Sequence, residues 1–244
     1  ADYVLTTGGA QSNHAMLTAA CCNKIGIKAI LVLKQRGVQG RVGNLLINEL
    51  LGADVRFVDT DSYDDVYKEM DRIADELRAA ITPKTKLLVL PFPNNPTGAI
   101  MTREDLEKIA EVLRGTDIMV LSDVIYCELT YGREHVSIAS LDGMRERCVV
   151  ASGFSKTYAM TGWRLGYTLA PREVTKQMLK VHQYAIMCAP TSSQYAAVEA
   201  MRNGDPDVDM MRSEYNRRRR YIVAGLRGIG FECFDPEGAF YAYP

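Results

Sequence analysis

Short apolar segments alternate with longer amphipathic segments along most of this chain. Each apolar segment has the length and the residue types of a buried β-strand. These segments cover residues 4–6, 29–33, 55–58, 87–90, 118–121 and 148–151. Strands that alternate with helices are typical of a parallel sheet covered on both faces. The pattern therefore predicts an α/β fold with three αβα layers and a mainly parallel sheet.

The amphipathic segments carry apolar residues at helical spacing. The clearest positions are Val66, Met70, Ile73 and Leu77 in one segment, and Leu106, Ile109 and Leu113 in another. Thr102 and Asp105 precede the second segment with the spacing of a capping box, which starts a helix. A last long helix is predicted at about 208–227, between the break at 205–207 and the glycines that follow.

The composition is that of a globular protein, with 47% hydrophobic and 24% charged residues among 244. The net charge of −1 provides no general attraction to nucleic acid or to an anionic membrane. No apolar run approaches the ~20 residues that span a bilayer, and the N-terminus shows no signal-peptide pattern. The six cysteines lack C-x-x-C spacing, so no metal site is expected. A reducing, cytoplasmic location fits these scattered cysteines best.

Four consecutive arginines occupy positions 217–220, within the predicted last helix. A basic run of this kind can mark a nucleic-acid site. Four successive helical residues point in different directions around the helix, however, and Glu214 can pair with them. We therefore expect a solvated helix surface and no nucleic-acid partner.

The most informative residue is Lys156, which lies shortly after the apolar segment 148–151. A lysine at the exit of a buried strand is placed to form a Schiff base with a carbonyl cofactor. Arg164, eight residues later, could hold the phosphate of such a cofactor with its bidentate guanidinium. Taken alone, a lysine and an arginine in such a loop would usually be surface cations.

The stretch 152–167 resembles the cofactor-lysine motif of class I/II aminotransferases, the fold type I family that uses pyridoxal 5′-phosphate. Three further stretches resemble motifs of that family and occur in its order: 94–98, 122–126 and 236–241. The resemblance runs from about 80 to 244. It implies a fold like the large domain of fold type I enzymes, and amino group transfer between an amino acid and a 2-oxo acid, in a homodimer.

The resemblance also implies a role for individual residues. Lys156 would carry the Schiff base and act as general base, and Asp123 would keep the pyridine nitrogen protonated. Tyr126 and Asn95 would contact the ring hydroxyl, and Arg164 would hold the phosphate. Hydroxyls of Ser155 and Ser152, and backbone amides of Gly9, Ala10 and Gln11, would complete the phosphate cup. Tyr241 is interpreted as a packing residue of the small domain.

The first part of the chain, 1–79, resembles a different group. The stretches 8–14, 43–46 and 51–54 are similar to the D-cysteine desulfhydrase and aminocyclopropane-carboxylate deaminase family, which uses the same cofactor in fold type II. We therefore expect a chimera with three parts: 1–79, a strand-helix module; 80–206, a cofactor-binding core; and 207–244, a long helix with the truncated start of a small domain.

Two departures from the aminotransferase pattern bear on activity. The aromatic residue that stacks on the cofactor has no clear counterpart, and the arginine for the substrate α-carboxylate would fall beyond Pro244. We therefore expect the chain to bind the cofactor but to transaminate poorly or not at all. Another cation, such as Arg133 or Lys34, could change this by binding the substrate carboxylate. The alternatives are a pyridoxal-phosphate lyase of the D-cysteine desulfhydrase kind, or a non-catalytic scaffold.

Overall fold

A computed structural model describes residues 3–9, 19, 28–34, 48, 50, 53–58, 78–79 and 81–244. Within these ranges, seven strands form one sheet. They are β1 (Tyr3–Gly9), β2 (Lys28–Lys34), β3 (Asp54–Val58), β4 (Leu87–Pro91), β5 (Met119–Asp123), β6 (Cys148–Gly153) and β7 (Gly166–Leu169). The first six correspond to the six predicted strands. The four-residue β7 was not predicted.

The strand order is β3-β2-β1-β4-β5-β6-β7. All neighbouring strands are parallel except β7, which runs antiparallel to β6. From β1, the next two strands, β2 and β3, are added on one side of it. The strands from β4 onward are then added on its other side. The direction of winding therefore reverses between β1 and β4, and such a switch point leaves a crevice at the carboxyl ends of the two strands. The α/β fold with a mainly parallel sheet is confirmed.

The helices of the described part lie mostly in the second half of the chain. They are α1 (Arg103–Leu113), α2 (Phe154–Thr157), α3 (Arg172–Ala185), α4 (Thr191–Asn203) and α5 (Asp205–Gly228), with short 3-10 turns at Ile138–Ser140, Arg145–Arg147 and Thr161–Trp163. The predicted helix with Val66 and Leu77 falls outside the described residues. The predicted last helix is confirmed as α5, although 205–207 form its first turn and do not break the chain before it. Among these helices none is long and apolar enough to cross a membrane.

The predicted capping box starts α1. The Thr102 hydroxyl accepts a hydrogen bond from the Asp105 N–H at 3.2 Å, and the Asp105 carboxylate accepts one from the Thr102 N–H at 2.9 Å. The apolar face of α1 then packs on the sheet in a buried cluster. Its members include Leu88, Leu90, Leu106, Ile109, Leu113, Val120, Ile138, Met144 and Cys148. This cluster stabilises β4, β5 and β6 side by side.

A second structural feature joins the 94–98 turn to the segment 236–241. The Gly98 carbonyl oxygen accepts hydrogen bonds from the Glu237 N–H at 3.0 Å and the Gly238 N–H at 2.8 Å. A Cβ at Gly98 would lie 2.4 Å from the Pro236 Cβ, and one at Gly238 would lie 2.6 Å from the Pro93 Cβ. The two segments therefore touch backbone to backbone, which only glycine permits at these positions.

Replacing Gly98 by alanine is expected to destabilise the fold by about 2–4 kcal/mol, because the new Cβ meets Pro236 and the φ of +71° is unfavourable for alanine. Gly132 is the matched control, since its φ is +85° but no atom lies within 4 Å of a built Cβ. Gly132→Ala should cost only the backbone part, about 1–2 kcal/mol. Urea unfolding of both variants measures the difference, and equal losses would contradict the close approach.

Candidate active site

The carboxyl ends of three adjacent parallel strands bring the predicted site residues to one edge of the sheet. In the register, Pro91 of β4 pairs with Asp123 of β5, and Asp123 pairs with Ala151 of β6. Asn95 follows β4 by four residues, and Lys156 follows the end of β6 by three. Side chains far apart in the sequence thus come to the same edge because the three strands end at the same level.

Lys156 lies in the single turn of α2, directly after β6. Its Nζ lies 5.7 Å from the centroid of the Tyr126 ring and 5.3 Å from that of the Phe240 ring. Both distances are within the range of a cation–π contact. The preceding Gly153 allows the close approach of β7, since a Cβ there would lie 3.0 Å from the Leu165 carbonyl oxygen. The lysine therefore lies at a strand exit, as predicted, and its amine lies near two aromatic rings, which were not predicted.

Tyr126 is buried and lies three residues beyond Asp123, in the turn that follows β5. Its hydroxyl oxygen lies 2.6 Å from the hydroxyl oxygen of Tyr241. Burial raises the pKa of Tyr126 far above its ordinary value, and Tyr241 and the Asp123 charge raise it further. A hydrogen bond from the Asn95 side chain acts in the opposite direction. The phenol is thus neutral at physiological pH and can donate a hydrogen bond.

Asp123 is the last residue of β5 and is half-buried. Its Oδ1 accepts a hydrogen bond from the Ile125 N–H at 3.2 Å, which orients the carboxylate at the start of the turn. A carboxylate has several acceptor positions, so Asp123 can also accept a bond from a ring N–H. The negative charge of Asp123 also raises the pKa of the nearby Tyr126 hydroxyl.

Asn95 projects from the turn 94–98, which is ordered by its neighbour. The Asn94 Oδ1 accepts a hydrogen bond from the Thr97 hydroxyl at 2.9 Å, and the Asn94 carbonyl accepts one from the Gly98 N–H at 2.8 Å. Asn94 is buried, whereas Asn95 is exposed at the edge of the sheet. The turn therefore uses one asparagine for its own structure and presents the other near Tyr126.

Arg164 lies two residues before the antiparallel strand β7, whose first residue pairs with the last residue of β6. The arginine consequently lies at the same edge as Lys156. Its backbone is left-handed, with φ 54° and ψ 49°, a conformation that costs a non-glycine residue roughly 1–2 kcal/mol. One guanidinium nitrogen donates to the Thr161 carbonyl oxygen at 3.1 Å, and the side chain is otherwise exposed. Backbone strain of this kind is concentrated at functional sites.

The structure describes some of the remaining residues that were predicted to contact the phosphate. Ser155 adjoins Lys156 and is half-buried, and its carbonyl oxygen accepts a bond from the Thr161 hydroxyl at 2.9 Å. Ser152 directs its hydroxyl to the Val124 carbonyl oxygen at 3.4 Å. Gly9 ends β1 at the switch point, opposite Lys34 of β2. Ala10 and Gln11 lie outside the described residues.

Two residues of the site were missed or misinterpreted in the sequence. Tyr241 was interpreted as packing within a small domain, but it contacts the Tyr126 hydroxyl, and Phe240 lies against both the Tyr126 ring and Lys156. Both come from the segment that the Gly98 carbonyl anchors. The motif at 236–241 flagged their segment, but no local pattern could reveal the contact with Tyr126, because it joins positions 115 apart in the chain.

The candidate substitute cations are only partly described. Arg133 Nε lies 3.1 Å from the Glu237 Oε1 in an exposed ion pair, so a carboxylate already faces it. The side chain of Lys34 is outside the described part. In the basic run, Arg217 and Arg218 both pair with Glu214 and hold its pKa at about 2, as the helical interpretation predicted.

The fold and the site together define a class of protein: a mainly parallel α/β sheet that presents a lysine, an aspartate, a tyrosine and an arginine at one edge. The family model of aminotransferase class I and II matches residues 1–244. The chain therefore belongs to the class I and II aminotransferase family. Enzymes of this family use pyridoxal 5′-phosphate, in agreement with the predicted cofactor.

Individual relatives agree with this family. The Bacillus subtilis protein YugH is 52% identical over 171 residues, which cover 70% of this chain and 44% of YugH. Aromatic-amino-acid aminotransferase 2 of Thermococcus litoralis is 47% identical over 173 residues, 70% of this chain and 44% of that protein. The crystal structure of the aromatic aminotransferase from Pyrococcus horikoshii matches with a TM-score of 0.70 at 35% identity, and covers 96% of this chain and 61% of that one. This chain spans about half the length of the curated relatives it matches.

The donor set of the described residues fits the family's cofactor. An amine lies at a strand exit, a carboxylate and a phenol lie beside it, and a guanidinium precedes the neighbouring strand. A phosphorylated pyridine aldehyde needs one partner of each of these kinds.

Proposed function

We propose that this chain binds pyridoxal 5′-phosphate covalently through Lys156 and transfers an amino group between an amino acid and a 2-oxo acid. One observation carries the proposal: Asn95, Asp123 and Lys156 lie with the buried Tyr126 at one edge of the sheet, and Arg164 lies at the same edge, two residues before β7. Family membership supports it, and several relatives are named as aminotransferases for aspartate or aromatic amino acids.

Each residue has a defined task in this proposal. Pyridoxal 5′-phosphate supplies an aldehyde that condenses with amines and a ring that draws electrons from the attached carbon. Lys156 Nζ would hold the cofactor through its aldehyde carbon and, as a free amine, would accept the proton of the substrate α carbon. The Asp123 carboxylate keeps the ring nitrogen protonated, since an anion beside it favours the charged form.

Donors at the rim orient the ring. Tyr126 and Asn95 donate hydrogen bonds to the ring hydroxyl, and burial keeps the Tyr126 phenol protonated for this purpose. The Arg164 guanidinium would hold the phosphate, for which it offers a bidentate set of donors. Backbone N–H groups of Gly9, Ala10 and Gln11 would complete the phosphate cup, with Ser155 beside Lys156.

The covalent attachment can be located directly. After incubation with pyridoxal phosphate and reduction with borohydride, peptide mapping by mass spectrometry should place the adduct on Lys156. Lys156→Ala should abolish the adduct and the visible absorbance while the melting temperature stays close to that of the parent. Lys180→Ala, an exposed lysine of α3, should change neither. An adduct on any other lysine would overturn the assignment.

Removing the Asp123 carboxylate should slow removal of the α proton by ~10-fold to 100-fold or more, because the ring nitrogen loses a charge-assisted partner worth ~1.5–3 kcal/mol. Asp123→Asn keeps the shape and removes the charge. Asp117→Asn, in the exposed loop before the opposite end of β5, is the control for losing a carboxylate. Stopped-flow absorbance with an amino acid substrate measures the step. Rates within a few-fold for Asp123→Asn would disprove the role.

Substrates of the proposed reaction are an amino acid and a 2-oxo acid. The Arg133 guanidinium already faces Glu237, so it would have to leave that ion pair to bind a substrate carboxylate. The lyase alternative makes a different prediction from the same site, namely pyruvate and ammonia from D-cysteine without an added 2-oxo acid. Product analysis with and without 2-oxoglutarate separates the two reactions.

A homodimer is proposed from the surface of α3 and α4. No residue of α3 is buried, and its apolar positions are highly exposed: Leu179 51%, Val181 71% and Tyr184 96%. Tyr195 of α4 adds a further ring that is 75% exposed. A continuous apolar surface of this kind is typical of an interface, and a second copy of the chain can cover it symmetrically.

A charge in this surface should dissociate the dimer. Tyr184→Lys is expected to yield monomers in sedimentation velocity at micromolar concentration, because an unpaired charge is costly in an apolar interface. Tyr221→Lys on α5, where the ring is 78% exposed, serves as the matched control and should keep the parent's mass. A monomeric parent chain would disprove the interface.

The ancestry of residues 1–79 and the domain limits stay proposals. The similarity of 8–14, 43–46 and 51–54 to D-cysteine desulfhydrases supports a chimera. Alignments to YugH and to the Thermococcus enzyme cover 70% of this chain, whereas the aminotransferase family model matches residues 1–244. β1, β2 and β3 provide the strands that such a replacement would need. Comparing residues 1–79 alone with both families tests the origin.

A further inference from the structure

The hydroxyl groups of Tyr241 and Tyr126 are in direct contact. Their oxygens lie 2.6 Å apart, and the rings meet edge to face with centroids 5.8 Å apart. Tyr241 reaches this place because backbone hydrogen bonds hold the residues that precede it. The Glu237 and Gly238 N–H groups donate to the Gly98 carbonyl oxygen, and the Ala239 N–H donates to the Leu129 carbonyl oxygen at 2.8 Å. The contact is therefore a built feature of the fold and not an incidental meeting of two surface side chains.

The direction of this hydrogen bond follows from the number of hydrogens. A phenolic hydroxyl has one hydrogen and two lone pairs. If Tyr126 donates its hydrogen to the cofactor's ring hydroxyl, it cannot also donate to Tyr241. The 2.6 Å contact must then run the other way, with Tyr241 as the donor and Tyr126 as the acceptor. The Asn95 side chain lowers the Tyr126 pKa and is therefore near the same hydroxyl, so its amide N–H can fill the second lone pair of the Tyr126 oxygen.

We propose that Tyr241 is a positioning residue whose hydroxyl donates to the Tyr126 oxygen and thereby directs the Tyr126 hydrogen toward the ring hydroxyl of the bound cofactor. The inference rests on the proposed cofactor site at Lys156. A hydroxyl that accepts a hydrogen bond is polarised and donates a stronger one. Tyr241 thus acts on the cofactor through Tyr126 without touching it.

The consequence can be measured as the pKa that controls the visible absorbance of the reconstituted protein. The pKa is that of the Lys156 nitrogen bound to the cofactor. Hydrogen-bond donors stabilise the negative ring oxygen most when this nitrogen has lost its proton, and such donors therefore lower its pKa. Tyr241→Phe weakens the Tyr126 donor and should raise the pKa by about half to one unit. Absorbance spectra recorded across the pH range provide the titration without any turnover.

Tyr131→Phe is the matched control. The Tyr131 hydroxyl donates to the Ala239 carbonyl oxygen at 2.6 Å, so its loss loosens the same segment but leaves the Tyr126–Tyr241 contact in place. It should leave the absorbance pKa unchanged. Equal shifts in the two variants would mean that Tyr241 only anchors the segment, and this would overturn the proposal.

A second variant keeps the shape of the tyrosine. 3-Fluorotyrosine at position 241 is a more acidic and stronger donor, so the absorbance pKa should fall below that of the parent. An unchanged pKa in both the phenylalanine and the fluorotyrosine proteins would disprove the role of Tyr241. Failure of the parent chain to take up pyridoxal phosphate on Lys156 would instead disprove the proposed function, and the two failures are distinguishable.

Discussion

The carbonyl oxygen of Gly98 is the point on which the geometry of the site depends. It accepts two backbone hydrogen bonds, from Glu237 and Gly238, and so joins the turn after β4 to a segment 140 positions later. Two glycines make the approach possible, because a Cβ at either would overlap a proline ring. As a result, Phe240 lies against Lys156 and Tyr241 meets Tyr126.

The register of the parallel strands is the complementary constraint. Because Pro91, Asp123 and Ala151 pair across three neighbouring strands, the turns that follow them open at one level. The cluster under α1 holds these strands together, and the antiparallel β7 returns Arg164 to the same edge. The sheet thus sets the positions of the amine, the carboxylate and the guanidinium, and the Gly98 contact adds the aromatic cover.

Much of this arrangement could be predicted from local patterns. The six parallel strands are short apolar runs, and Thr102 with Asp105 forms a capping box that needs only residues three apart. β7 escaped prediction because it is only four residues long and exposed throughout, so it lacks the continuous apolar run that marks the other strands. α3 is clearly amphipathic, yet its apolar face is exposed, so the pattern by itself says nothing about what covers it.

The sequence by itself determined the strand pattern, the family and the identity of the chemical groups: Lys156, Asp123, Tyr126, Asn95 and Arg164 lie in motifs whose spacing is local. Only the tertiary structure decided that Tyr241 and Phe240 join them, and that the Tyr126 phenol is buried beside two hydrogen-bonding partners. The physical reason is distance along the chain. Spacing within a strand or turn is set by covalent geometry, whereas a contact across 115 positions depends on packing that no short segment encodes.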